Sequence, residues 1–204
     1  MSHIRMIPLC SFCVTRWVEE ACFAANVGLT ALEQQRLTAA LLARRHLILS
    51  GPTGTGKCRL AHALALAIAH GQQTHVRLIQ GHPWWAARTG DVAHFVAIQT
   101  ELSMSRLVDF VEAILQNKGR SHSPAVQTGE DREDYVACVE RMSPVEVHTY
   151  FGTLVRELLR QAQDGKVTAP LRLFGTYDSD RPPQLDELVL QVAALVHLEP
   201  IPVR

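Results

Sequence analysis

A glycine-rich stretch in the first third of the chain has the spacing of a phosphate-binding loop. It follows the apolar run at residues 47–49 and consists of Gly51, Pro52, Thr53, Gly54, Thr55, Gly56, Lys57 and Cys58. In the pattern G-x-x-x-x-G-K, backbone N–H groups bind phosphate oxygens and the lysine reaches the β and γ oxygens. A helix that begins at Lys57 would direct its N-terminal amides towards the same anion. This stretch therefore predicts a nucleotide site, for ATP or GTP.

The residue after the lysine departs from this pattern. Ser or Thr at that position would offer a hydroxyl to Mg²⁺, but the chain has Cys58. A thiol is a soft ligand and binds a hard, oxygen-preferring cation poorly. A second candidate metal ligand is Glu140, which closes the apolar run at residues 135–139 as a magnesium-binding carboxylate often does. We expect Mg²⁺ to be bound weakly, and the site to hold a nucleotide more easily than it hydrolyses one.

Hydrophobic periodicity places these residues in alternating helices and strands. Helical spacing covers residues 16–25 and 31–45, and a further helix follows the loop and stops at Gly71. Later helices are expected from residue 103 or 105, from Pro144 after a capping box at 143–146, and at 184–192. Strands are predicted at residues 46–50, 75–80, 135–140, 171–176 and 195–198.

Five strands separated by helices predict right-handed crossovers and a three-layer α/β fold with a mostly parallel sheet. In such sheets the ligand binds at the carboxyl ends of the strands. We divide the chain into a helical lead-in, residues 1–45, and a phosphate-loop domain, residues 46–204. At the end of the fourth strand, residues 175–178 either provide a polar contact to the γ-phosphate or form a simple turn.

Two stretches are less regular. Residues 81–101 contain the adjacent pair Trp84 and Trp85, which cannot both face one core, and a possible short strand at 95–98. One tryptophan could cover the nucleotide pocket or a neighbouring subunit, or the pair could form a packed hinge. Residues 117–134 are rich in Gly, Ser, Pro and acids without periodicity, which predicts a flexible loop.

Composition limits the other classes of function. The 204 residues include 20 basic and 20 acidic side chains, so charge does not indicate nucleic acid or a membrane as a partner. No apolar run approaches the roughly 20 residues of a membrane helix, and the first residues do not resemble a signal peptide. An odd number of scattered cysteines indicates reduced, mostly buried thiols and a cytoplasmic protein. The pair Cys10 and Cys13 could instead bind a metal or act in redox chemistry.

Together, residues 17–200 resemble the AAA+ superfamily and, within it, the subfamily of the GTP-dependent restriction motor McrB. The resemblance rests on the phosphate loop, on residues 82–85 (HPWW) followed by Thr89 and Gly90, and on residues 139–151 (VERMSPVEVHTYF). The last segment is similar to the subfamily's Walker B stretch and following helix. Residues 174–178 (FGTYD) are similar to its sensor-1 strand, Gly-Thr-x-Asn.

The resemblance also assigns roles that this chain has altered. Glu140 stands in place of the Walker B Asp, Arg141 in place of the catalytic Glu, and Asp178 in place of the sensor Asn. Residues 191–192, Gln and Val, stand where the family has Asp-Arg, the finger that completes a neighbour's site. The sequence ends about where the helical lid would begin, so the fold expected is an AAA+ core without that lid.

Three functions follow from this pattern. The first is an AAA+-like nucleotide-binding domain with weak or absent hydrolysis, acting as a structural or regulatory subunit among homologous or different AAA+ subunits. The second is a working McrB-like motor in which Glu140 acts with a displaced acid, Glu146 or Asp180. The third is a small P-loop kinase, although no arginine-rich lid follows the helices.

Overall fold

The computed structural model describes residues 11–43, 46–80, 106–107, 109–110, 113, 135–142, 144–148, 150–151 and 171–200. Two helices precede the first strand. In chain order the elements are α1 (Ser11–Ala25), α2 (Ala31–Leu42), β1 (His46–Gly51), α3 (Lys57–Ile68), a 3₁₀ turn (Gln73–His75), β2 (Val76–Gln80), β3 (Tyr135–Glu140), α4 (Pro144–Val147), β4 (Leu171–Asp178), α5 (Glu187–Val192) and β5 (Ala193–His197).

The five strands form one sheet in the order β2-β3-β4-β1-β5, and every pairing is parallel. The predicted α/β class and five-stranded sheet are thereby confirmed, and the sheet is wholly parallel. Strand β1 lies between β4 and β5, with Leu49 opposite Thr176 on one side and Val196 on the other. Because β1 is covered on both faces, its residues form a continuous apolar run.

Two hydrophobic clusters lie on opposite faces of the sheet. Leu47 and Leu49 of β1 belong to the first cluster, together with the buried side chains of α1, α2 and α3. Ile48 belongs to the second, together with Val147 of α4 and Val189 of α5. Alternate strand residues point to opposite faces, so each face has its own helical cover. This is the arrangement of a three-layer α/β fold.

The start of α2 is fixed by a capping box and by a contact with the end of the described chain segment after β5. Thr30 and Glu33 form a capping box at the start of α2, because the Thr30 hydroxyl accepts from the Glu33 N–H and the Glu33 carboxylate accepts from the Thr30 N–H. The second Glu33 oxygen accepts from the Glu199 N–H at 2.9 Å. A single buried carboxylate therefore joins the lead-in to the segment after β5.

Some predicted boundaries were wrong. Helix α1 begins at Ser11, five residues before the predicted start, and α5 begins at Glu187 rather than at 184. Pro182 and Pro183 precede α5 and disfavour helix at and just before them. Strand β5 covers Ala193–His197 rather than 195–198, and β4 continues to Asp178. The interpretation of residues 175–178 as a turn is wrong, because Asp178 pairs with Gly51 in the ladder.

The cysteines also differ from the prediction. Cys138 is buried, Cys22 and Cys58 are half-buried, and Cys13 is exposed on α1. The other member of the C-x-x-C pair, Cys10, lies outside the described residues, as do Trp84, Trp85, Ser143 and residues 95–98 and 117–134. Within the described ranges, no helix is long and apolar enough to cross a membrane.

Candidate functional site

The site begins where β1 leaves the sheet. Gly51 has φ +148°, and a Cβ at this position would overlap the carbonyl oxygen of Leu198. That close approach is fixed from both sides, because the Leu198 N–H donates to the Ser50 carbonyl at 2.8 Å and the Ser179 N–H donates to the Gly51 carbonyl at 3.0 Å. The entrance to the loop is therefore anchored by the segments that follow β4 and β5.

The far end of the loop requires glycine for a different reason. Gly56 is the N-cap of α3 in the left-handed conformation, with φ +84°, and a Cβ there would overlap Cγ2 of Val27. The neighbour that requires a glycine at position 56 is thus a side chain of the α1–α2 connection. Gly54, also at positive φ, has no atom within 4 Å of an added Cβ among the described residues. The open part of the loop is at Gly54.

The side chain of Lys57 is almost completely buried, at 3% exposure. Its ammonium contacts three oxygens: the Pro52 carbonyl at 2.7 Å, Asp178 Oδ1 at 2.8 Å and the Thr55 hydroxyl at 3.4 Å. The Thr55 hydroxyl also donates to the Pro52 carbonyl at 2.9 Å. The predicted phosphate-binding lysine is thus enclosed by its own loop and paired with the predicted sensor-position acid.

Cys58 follows in the first turn of α3, with its Sγ 3.3 Å from the Thr176 hydroxyl. Burial raises the pKa of this thiol, and the charges of Glu140 and Asp178 raise it further, whereas the Thr176 hydrogen bond and Lys57 oppose the shift. The thiol is therefore neutral near pH 7. A neutral sulfur beside one half-buried carboxylate, Glu140, does not fit the oxygen ligation that Mg²⁺ prefers.

Thr176 connects the loop side with the end of β3. It is buried, and its hydroxyl accepts from the Arg141 N–H at 2.8 Å while its carbonyl accepts from the Met142 N–H at 2.8 Å. Arg141 has φ +53°, a left-handed conformation that costs a non-glycine residue roughly 1–2 kcal/mol. The Thr176 contacts hold this conformation through the main chain, and the Arg141 side chain is exposed.

The structure brings together most, but not all, of the residues predicted for the site. Lys57 contacts Asp178, the adjacent Cys58 contacts Thr176, and Glu140 is near enough to influence the pKa of Cys58. The proposed displaced acids are elsewhere: Glu146 is fully buried in α4, Asp180 is exposed after β4, and within the described ranges neither forms an ion pair with Lys57. Gln191 is exposed near the end of α5.

Sequence reasoning missed two contributors, Val27 and Glu33. Val27 has no local signal, because its contact with Gly56 depends on how α1 packs against α3. Glu33 could have been found, since Thr30-x-x-Glu33 before an apolar helix is the signature of a capping box.

A separate groove of about 500 Å³ lies between α1 and α3, with Arg59 in its lining. Five of its eleven lining residues are alanine, and the lining excludes the loop glycines and Lys57, so we place the candidate site at the loop.

Comparison with known proteins identifies no family and includes a weak structural likeness. No family model and no curated protein matches this chain. Among solved structures, a chain in the HORMA:CdnC:Trip13 complex of E. coli MS115-1 is similar with a TM-score of 0.38 and 17% sequence identity. The match covers 93% of this chain and 59% of that chain. A likeness at this level carries no argument about function.

Proposed function

We propose that this chain is a nucleotide-binding domain of the AAA+ type, with weak or absent hydrolysis, that binds ATP or GTP. The observation that carries the proposal is the β1–loop–α3 unit, in which Lys57 opens α3 and the loop lies at the carboxyl ends of parallel strands. Ligands of parallel α/β sheets bind at that edge. The McrB-like resemblance of residues 139–151 and 174–178 extends the proposal to the AAA+ type.

Binding would use groups that the loop already positions. The N-cap of α3 is a glycine without a side-chain cap, so its first-turn N–H groups and helix dipole are available to an anion. Thr53 and Gly54 are exposed, which gives a ligand access to the loop from solvent. These features support phosphate binding at the loop and leave the choice between ATP and GTP to experiment.

Weak hydrolysis follows from the residues at the ends of β3 and β4. A water that attacks the γ-phosphate must be oriented by a group that accepts its hydrogen bond, and Arg141 has no acceptor. Of the acids that a working motor would need instead, Glu146 is fully buried in α4 and Asp180 is exposed beyond the end of β4. These positions support a structural or regulatory subunit of an AAA+ assembly over the motor.

Isothermal titration with ATP and with GTP, each with and without Mg²⁺, tests this proposal. We expect Lys57→Ala to weaken binding by about ten- to a hundredfold, since charge-assisted contacts contribute roughly 1.5–3 kcal/mol. Arg36→Ala is the matched control, because Arg36 is an exposed cation on α2 whose loss changes the net charge equally. Absence of binding by the wild-type protein at millimolar nucleotide would overturn the proposal.

A further inference from the structure

We propose that Asp178 determines which nucleotide the site prefers, and that it favours nucleoside diphosphates over triphosphates. This inference rests on the proposed function, since it concerns the same loop. It adds the ligand class and assigns a specificity role to a residue at the end of β4. Its basis is the set of contacts made by Lys57.

An ammonium group has three N–H donors. Those of Lys57 have three oxygens within reach, from Pro52, Thr55 and Asp178, and the side chain is almost entirely removed from solvent. A γ-phosphate that uses Lys57 must therefore displace at least one of these oxygens. Asp178 provides the charged partner, at 2.8 Å, so its contact is the strongest competitor.

The position of Asp178 is fixed by the sheet. Asp178 pairs with Gly51 in the β1–β4 ladder, and the next residue, Ser179, donates its N–H to the Gly51 carbonyl. The main chain that carries the carboxylate is thus bound to the start of the loop and cannot move away independently. A triphosphate that takes the Lys57 ammonium must either lie beside the carboxylate or turn it towards solvent, to which 43% of the side chain is already exposed; either change loses the ion pair.

The phosphates of a nucleotide depend on Lys57 to different degrees. Loop amides and the helix N-terminus cradle the α and β groups, and the lysine reaches oxygens of both the β and γ groups. The γ group lies beyond the loop amides, so it depends more than the β group on the lysine and on a metal ion to offset its charge. In this chain the lysine is paired with Asp178 and the metal position is Cys58. A diphosphate lacks the γ group and its charge, so it loses less binding free energy than a triphosphate when Asp178 keeps its contact with Lys57.

The test is isothermal titration of the full chain with ADP and GDP, and with non-hydrolysable analogues of ATP and GTP. We expect the wild type to bind diphosphates about tenfold more tightly than triphosphates, the ratio that one lost charge-assisted contact produces. Asp178→Asn should strengthen triphosphate binding about tenfold and change diphosphate binding by less than about threefold. Asp180→Asn is the matched control: it removes the same charge from an exposed side chain two residues away that, in the described structure, forms no ion pair with Lys57, and should leave the ratio unchanged.

The outcomes separate this inference from the proposed function. Binding of neither class by the wild type would contradict the proposed function itself. Equal or tighter binding of triphosphates by the wild type would overturn the role of Asp178 while leaving a nucleotide site. An equal gain for both classes in Asp178→Asn would also overturn it, because that pattern is a general charge effect. If the variant does not fold, as judged by thermal unfolding, the wild-type ratio alone decides.

Discussion

The phosphate loop and the strand ends facing it differ in what fixes their side chains. In the loop, the backbone dictates residue type: a side chain at Gly51 would overlap Leu198, and one at Gly56 would overlap Val27. At the ends of β3 and β4 the fixing contacts are made by the main chain of residues 141 and 142 to Thr176. At position 141 the contact uses the backbone N–H, so arginine and glutamate can make it equally well.

This difference separates positions where the fold requires a residue type from positions where it does not. A change at Gly51 or Gly56 disturbs packing and backbone conformation whether or not a nucleotide binds. An acid in place of Arg141 would leave the main-chain hydrogen bonds of the strand end intact. The fold therefore requires Gly51 and Gly56 with or without a nucleotide. Direct titration distinguishes a nucleotide site from a loop that has only the shape of one.

The largest effect expected from this comparison concerns turnover. Because Arg141 cannot accept a hydrogen bond from water, the wild type should release phosphate far more slowly than the common enzyme range of about 1–1,000 per second. Arg141→Glu combined with Cys58→Thr should raise the rate if a neighbouring subunit supplies the missing arginine. Phosphate release by the purified protein is the measurement. Rapid hydrolysis by the wild type that is lost in Lys57→Ala would contradict the proposal of weak hydrolysis and favour the motor.

Lowering the pH should destabilise the fold, and with it both regions, through His46 at the N-terminal end of β1. His46 accepts a hydrogen bond from the Leu173 N–H at 2.9 Å, which joins β1 to β4. Burial, with the charge of Arg172, lowers the pKa of His46 to about 4. The unfolded chain has a pKa of about 6.5 at this residue, so it binds the proton more readily between the two values.

The contribution of neutral His46 to the free energy of unfolding is therefore fully present above about pH 6.5 and is lost as the pH falls towards 4. We expect a loss of about 2 kcal/mol at pH 5 relative to pH 7 from this residue. Urea unfolding at both pH values measures it, with His46→Asn as the control, since the asparagine oxygen can accept the same hydrogen bond without titrating. An equal acid loss in both proteins would show that other groups are responsible.

The smallest effect concerns magnesium. With the neutral thiol of Cys58 at the metal position, nucleotide affinity in the wild type should change by less than about threefold on adding Mg²⁺. Cys58→Thr supplies a hydroxyl of similar size and should increase that dependence. Cys138→Ala removes a different thiol, on β3, and is a control for general effects of losing a cysteine. A strong magnesium requirement in the wild type would show that Glu140 and water suffice.

The sequence indicated the elements better than their contacts. The apolar runs of β1 and β3 and the glycine spacing of the loop are local signals. The runs predicted the positions of the two strands, and the loop predicted the start of α3 at Lys57; all three positions are confirmed. The Lys57–Asp178 ion pair was not predicted, because it requires β4 to be the neighbour of β1. Strand order depends on packing over the whole sheet and leaves no pattern within a single strand. The same reason applies to the contact of Val27 with Gly56.

The place of β1 in the sheet also determines when the site can form during synthesis. His46 and Leu173, which are hydrogen-bonded, lie 127 positions apart, and Ser50 and His197 lie 147 apart. Helix α3 can form from local contacts, whereas β1 must wait for both of its neighbours and for the cost of closing these long loops. At ribosomal rates of about 5–20 residues per second, that wait is on the order of ten seconds. The loop is synthesised early, but the segments after β4 and β5 that anchor it are synthesised much later, so the candidate site can form only once β5 has left the ribosome.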